Sequence, residues 1–189
     1  SLHESSTGKK KEPAGSFLRV AALLYLFMAL GAVLWIGWRE GRIELGLFLS
    51  RASWWQDVVV GLGAGLALAG GWEITRRSVA MARQLEESLK SLLGGIGRDE
   101  VVGLALLSGF SEELFFRGAV QLSWGFLPAT LLFAVLHTGR GREYRVWTGA
   151  ALVSGLVLGG LLLWRGNLLA AMTAHTVVNA VGLERLRRD

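Results

Sequence analysis

Residues 101–122 read VVGLALLSGFSEELFFRGAVQL. The run is long enough for a helix to cross a bilayer, which takes about 20 apolar residues. Yet it carries Glu112, Glu113 and Arg117 in its interior. A charge at the centre of a membrane helix costs about 2.5–3.5 kcal/mol even on the lenient insertion scale. Three of them are tolerated only if they face protein or a wet cavity and pair where they can. The stretch therefore predicts a membrane span and, around it, a helix bundle with a polar interior.

Working outward, comparable apolar runs cover Phe17–Trp38, Trp54–Ile74, Trp124–His137, Val146–Trp164 and Asn167–Leu183, with Val101–Leu122 the third in order. All but the short fourth have the length of a span. The fold expected is all-α: a polytopic membrane helix bundle of about six transmembrane helices plus an interfacial amphipathic helix. The first run is too long for a signal peptide and lacks a small-residue cleavage site. Hydrophobic residues make up 52% of the chain, in blocks rather than in alternation.

The charge distribution predicts orientation. With the N-terminus in the cytoplasm, fifteen of the 20 basic residues fall on the cytoplasmic side, including Lys9, Lys10, Lys11, Arg76, Arg77 and Arg83. Arg39, Arg42, Arg51 and Arg165 fall on the other side, and Arg117 lies inside a span. The excess of Lys and Arg on one side favours both termini in the cytoplasm of a multi-pass protein of the cell (inner) membrane. The net charge of +5 then reads as topology and contact with anionic lipid. Nucleic-acid binding would need a basic face with interleaved aromatics on a soluble domain, and none is visible. The chain has no cysteine, which excludes disulfides, thiolate metal sites and a cysteine nucleophile.

Five regions follow. Residues 1–16 are a polar segment expected to be a disordered cytoplasmic tail, which includes His3. Residues 17–75 hold two transmembrane helices, 76–100 an amphipathic connector, 101–183 a helical core and 184–189 a basic C-terminal tail. In the connector, Met81, Leu85, Leu89, Leu92 and Leu93 fall on one helical face, which predicts a helix lying in the cytoplasmic interface and ending at the Gly94–Gly95 pair. Gly61 and Gly65, and again Gly155 and Gly159, stand four apart, a spacing that lets membrane helices approach closely. A phosphate-cradling reading of GLGAG (61–65) fails, because no strand precedes it.

Polar groups in later spans extend the opening observation. Glu113 and Arg117 are four apart with the acid N-terminal, the favourable order for a helical ion pair. Glu112 is left without a local partner. FAVLH (133–137) ends the fourth span on His137, and HTVVN (175–179) places His175 and Asn179 on one face of the sixth. Lipid offers these groups no partners, so packed helices turn them toward one another. A carboxylate able to act as general base, two imidazoles able to hold a water or a metal, and an amide donor are parts for hydrolysing an amide inside the membrane. Ser108 or Ser111 with a histidine is a rival route, although neither sits in a nucleophile turn. A non-enzymatic alternative is a proton or ion relay, or a peptide-binding immunity or scaffold protein built on the same cavity.

Taken in order, EELFFR (112–117), FAVLH and HTVVN fit the patterns Glu-Glu-x-x-x-Arg, Phe-x-x-x-His and His-x-x-x-Asn. The chain thereby resembles the CPBP intramembrane proteases, the group that contains the CAAX prenyl endopeptidases of the Rce1 type and bacterial relatives. Those relatives include immunity factors of the Abi type, peptide-maturation proteases and C-terminal sorting enzymes such as the myxosortases. The resemblance covers about residues 101–183. It implies that Glu112 and His137 activate water, that His175 and Asn179 position it or stabilise the oxyanion, and that Glu113 and Arg117 brace the site or orient substrate. Zinc is an open expectation: Glu112, His137 and His175 are candidate ligands that leave one position free, and a metal-free, glutamate-activated water serves equally. The partner expected is a membrane-anchored or lipid-modified protein or peptide, cut during maturation or C-terminal processing.

Overall fold

A computed structural model describes residues 14–93 and 95–188 of the chain. The polar segment 1–13, including His3, and Gly94 lie outside the described residues. Among those described, all regular structure is helical. The elements are α1 (Ala14–Glu40), α2 (Leu45–Phe48), α3 (Trp54–Ser78), α4 (Ala80–Leu93) and α5 (Arg98–Glu113). A π-helical segment (Leu114–Gln121) follows, then α6 (Leu122–Trp124), α7 (Phe126–Leu136), α8 (Tyr144–Arg165) and α9 (Leu169–Arg188).

The helical membrane bundle expected from the apolar runs is present. Three helices are long and apolar enough to cross a membrane: Phe17–Glu40, Trp54–Ser78 and Tyr144–Arg165. Their apolar surface is turned mostly outward. On α1, Leu24, Phe27 and Leu34 are exposed while Ala32 and Ile36 are buried against the bundle. So much outward apolar surface is stable in lipid and not in water. The protein is a membrane protein. The remaining expected spans differ in character. The third is divided between α5 and the π-helical segment, and α7 has only 11 residues, about 16 Å at 1.5 Å per residue. Gly125, at φ 95°, breaks the chain before α7, and Pro128 falls in the first turn, where its missing N–H costs little.

Small residues decide how closely α3 and α9 approach. A Cβ on Gly61 would lie 2.5 Å from the Ala170 carbonyl oxygen, and one on Gly65 would lie 2.7 Å from that of Ala174. The second glycine pair acts likewise: a Cβ on Gly159 would come within 2.7 Å of the Phe126 ring. The close approach expected from their spacing is what the glycines provide. At one end of the bundle, Asp57 is wholly buried. It accepts from Arg165 Nε at 2.5 Å and from Asn167 Nδ2 at 3.0 Å, while Asn167 Oδ1 caps α9 by accepting the Leu169 N–H. Here α3, α8 and α9 are joined by one hydrogen-bonded group.

The amphipathic helix α4 forms as expected and ends at Leu93, with Gly95 at φ 96°. Its apolar face, however, is turned inward. Ala82, Leu85 and Leu93 are buried, while Met81 and Leu92 remain exposed. The helix is pinned by Glu86, which accepts from Trp72 Nε1 at 3.1 Å and from Arg185 Nη1 at 3.4 Å. Arg185, assigned from sequence to a basic tail, is instead part of α9, which runs to Arg188.

Candidate active site

The long run quoted at the outset changes helix type within the charged motif. It is α-helical through Glu113 and π-helical from Leu114 to Gln121. Widening a helix by one residue per turn re-aims side chains, which is why such segments occur at functional sites. The segment also alters the carbonyl ladder, and Arg39 at the end of α1 meets the result. Its guanidinium donates to the carbonyls of Ala119 (3.1 Å) and Gly118 (3.3 Å) and to Ser123 Oγ (2.6 Å). Ala32 and Ile36 of α1 share a buried cluster with Leu114 and Leu168. The first helix is thereby fastened to the charged helix.

Glu112 and Glu113 point to different surroundings, as neighbours about 100° apart on a helix must. Glu113 is wholly buried. Its Oε2 stands 3.2 Å from Arg117 Nε, which gives the expected i,i+4 ion pair. Its Oε1 meets His175 Nδ1 at 2.6 Å. Arg117 is also wholly buried, with its guanidinium 4.5 Å from the centre of the Phe133 ring. The pair thus forms a charged bracket behind His175, and the cation spreads part of its charge onto an aromatic face. Glu113 can only accept when ionised, so His175 Nδ1 carries the proton and Nε2 faces the other way.

His137 is oriented by a different device. Its backbone leaves helical geometry (φ −93°, ψ 55°) at the end of α7. There its Nδ1 lies 2.7 Å from the Phe133 carbonyl oxygen. That carbonyl lost its intrahelical partner where the helix stopped, and the imidazole satisfies it. A carbonyl only accepts, so Nδ1 again carries the proton and Nε2 is free. Thr148 Oγ1 donates to the His137 carbonyl at 2.9 Å and ties α8 to this corner.

Both Nε2 atoms face one carboxylate. Glu112 Oε2 lies 3.6 Å from His137 Nε2 and 3.8 Å from His175 Nε2. Both separations exceed a direct hydrogen bond. The oxygen is buried and has no hydrogen-bond partner among the described residues. A third group touching all three atoms, such as a water, fits separations of this kind. Asn179 lies a turn beyond His175 on α9, and its Nδ2 donates to Ser108 Oγ at 2.7 Å. Glu112, His137, His175, Asn179 and Ser108 all line one cavity of about 570 Å³, walled mainly by apolar side chains from α1, α3, α4, α8 and α9.

The structure therefore gathers Glu112, His137 and His175, places Asn179 on the same cavity, and sets Glu113 and Arg117 behind them. Ser111 is buried without a partner, and Ser108 is engaged by Asn179, so neither hydroxyl is paired with an imidazole. Ser108 was overlooked as a support for Asn179. Its position four residues before Glu112, on the same helical face, is the signal that points to it. Tyr25 was overlooked as well. It lines the same cavity as Glu112, and nothing in its apolar surroundings in sequence marks it out.

Among the described residues, no set of three His, Cys, Asp or Glu side chains is placed to hold a metal ion.

Residues 100–181 match the family model described as type II CAAX prenyl endopeptidase Rce1-like. This segment of the chain is similar to that family. It holds all three motifs and every site residue except Tyr25. Over 94 residues the chain is 37% identical to YpbD of Bacillus subtilis (strain 168), an uncharacterized protein. That alignment covers 47% of this chain and 49% of YpbD, so the chain spans about half the length of the curated relative it matches. No solved structure matches the chain. The Rce1-like segment begins near the start of α5 and stops short of the end of α9. Helices α1, α3 and α4, which complete the cavity, lie outside it.

Proposed function

We propose that this protein is a multi-pass intramembrane endopeptidase in which Glu112, with His137 and His175, activates water against a peptide bond of a membrane-associated protein or peptide. The observation that carries this reading is a single atom. Glu112 Oε2 is buried, lacks a hydrogen-bond partner, and stands between two imidazole nitrogens on the wall of a large apolar cavity. The Rce1-like segment supports it from an independent direction. In the reaction, the water oxygen bonds to the carbonyl carbon as its proton passes to Glu112. The C–N bond then breaks and the proton goes to the departing nitrogen. The imidazoles, each donating through Nδ1, accept from the water through Nε2 and hold it. Asn179, steadied by Ser108, supplies an amide dipole to the same space. Glu113 and Arg117 keep His175 in place. No step passes through a metal.

The substrate fits the apolar cavity: a membrane-anchored or lipid-modified chain, cut in maturation or C-terminal processing. Both termini are cytoplasmic in this reading. Quantitative mass spectrometry of membrane-protein termini, with and without the gene, tests it. An uncut precursor should accumulate in the deletion strain and be processed again by the wild-type gene but not by Glu112→Ala. A relay would instead show pH-driven flux in liposomes and leave every terminus unchanged, and that result would overturn the proposal.

A further inference from the structure

The opening helix supplies a group that the three motifs do not. Tyr25 lies on α1, well outside the Rce1-like segment, and shares the cavity with Glu112, His137, His175 and Asn179. The chain has only two tyrosines, and the other, Tyr144, packs at a tilt against Trp147 at the start of α8. Glu112 stands beyond hydrogen-bond range of both imidazoles. The Tyr25 phenol lines the same cavity as this carboxylate, and the two groups interact electrostatically. A carboxylate in apolar surroundings has few ways to fix its rotamer, and an O–H donor bonds it more strongly there than in water. The helix that carries it is held in place, because α1 is fastened to the charged helix by Arg39 and by the buried Ala32 and Ile36.

From this arrangement we infer that Tyr25 is a positioning residue for Glu112: its hydroxyl holds the carboxylate so that Oε2 faces the two Nε2 atoms across the cavity. The inference rests on the endopeptidase reading, and it gives α1 a part in the reaction beyond anchoring. A purely structural tyrosine would fill the same volume, and Tyr25→Phe keeps that volume while removing the oxygen.

Two measurements decide the matter. The first needs no substrate. Infrared difference spectra of wild type minus Glu112→Gln, in lipid nanodiscs, isolate the Glu112 carboxyl band, and the same pair is recorded in the Tyr25→Phe background. The band should shift when the hydroxyl is removed, with helicity by circular dichroism unchanged, and an unmoved band overturns the inference. The second uses the precursor identified by mass spectrometry, reconstituted with the purified full chain. Tyr25→Phe should lower kcat about 10- to 100-fold, the range for a misplaced reacting group, with KM within about twofold and Tyr144→Phe unaffected. A fall in affinity alone, or an unchanged rate even with a shifted band, also overturns it. If Glu112→Ala itself still cleaves, the endopeptidase reading fails and takes this inference with it. If Glu112→Ala is inactive while Tyr25→Phe matches wild type, only the inference fails.

Discussion

Glu113 and Arg117 show what a buried charge pair does for a site. Both are wholly buried, and Glu113 serves two partners, Arg117 Nε at 3.2 Å and His175 Nδ1 at 2.6 Å. Removing the charge on one member leaves the other buried and uncompensated, a loss of about 3–5 kcal/mol. Glu113→Gln should therefore lower the thermal unfolding midpoint in detergent and slow processing. The double variant Glu113→Gln with Arg117→Met should regain much of the stability, because no lone cation remains, and stay slow because His175 has lost its carboxylate. If the single variant unfolds like wild type, the pair is not the bracket described here. The ion pair was legible in the i,i+4 spacing. The link to His175 was not, because it spans 62 residues and depends on how α5 meets α9.

Contact between helices turns on small residues at chosen faces. Gly65 of α3 sits against α9, where a Cβ would lie 2.7 Å from both the Ala174 carbonyl oxygen and Val177 Cβ. Gly63, two residues earlier, has open space around it. Gly65→Val should destabilise by about 1–3 kcal/mol through overpacking and slow processing as well, because α9 carries His175 and Asn179. Gly63→Ala should be neutral or slightly stabilising, since Ala is the better helix former. Unfolding midpoints of the two variants, measured side by side, check the contrast; equal effects would mean the α3–α9 contact is looser than it appears. The Gly-x-x-x-Gly spacing announced this contact, though not its partner helix. The amphipathic pattern of α4 was legible too, yet its apolar face covers the cavity instead of lying on lipid. Periodicity marks which face is apolar; it carries no information on whether lipid or protein covers that face.

The bundle places its site between a matched C-terminal segment and helices that only the structure brings in. Motif spacing singled out Glu112, His137, His175 and Asn179, because ionisable and polar groups in apolar runs are costly and so conspicuous. Tyr25 escaped notice, and Ser108 was read only as a rival nucleophile, because a hydroxyl in a membrane helix is cheap and common. The π-helical segment escaped because its residues read as ordinary apolar helix. The proposed orientation has its own test: reporter fusions at the loop 139–143 and after residue 188 should be cytoplasmic, and one at 41–44 extracytoplasmic, on the charge distribution. A loop 139–143 on the outer face would reverse the orientation and leave the chemistry standing. The chemistry itself depends on the Glu112 carboxylate making water nucleophilic between two imidazoles. The most direct measurement is the cleavage rate of the identified precursor in reconstituted membranes, with wild type, Glu112→Gln and Ser111→Ala present in equal amounts. The account predicts that Glu112→Gln loses at least about 100-fold, the contribution of a general base, while Ser111→Ala cleaves like wild type. Cleavage by Glu112→Gln within a few-fold of wild type would contradict it.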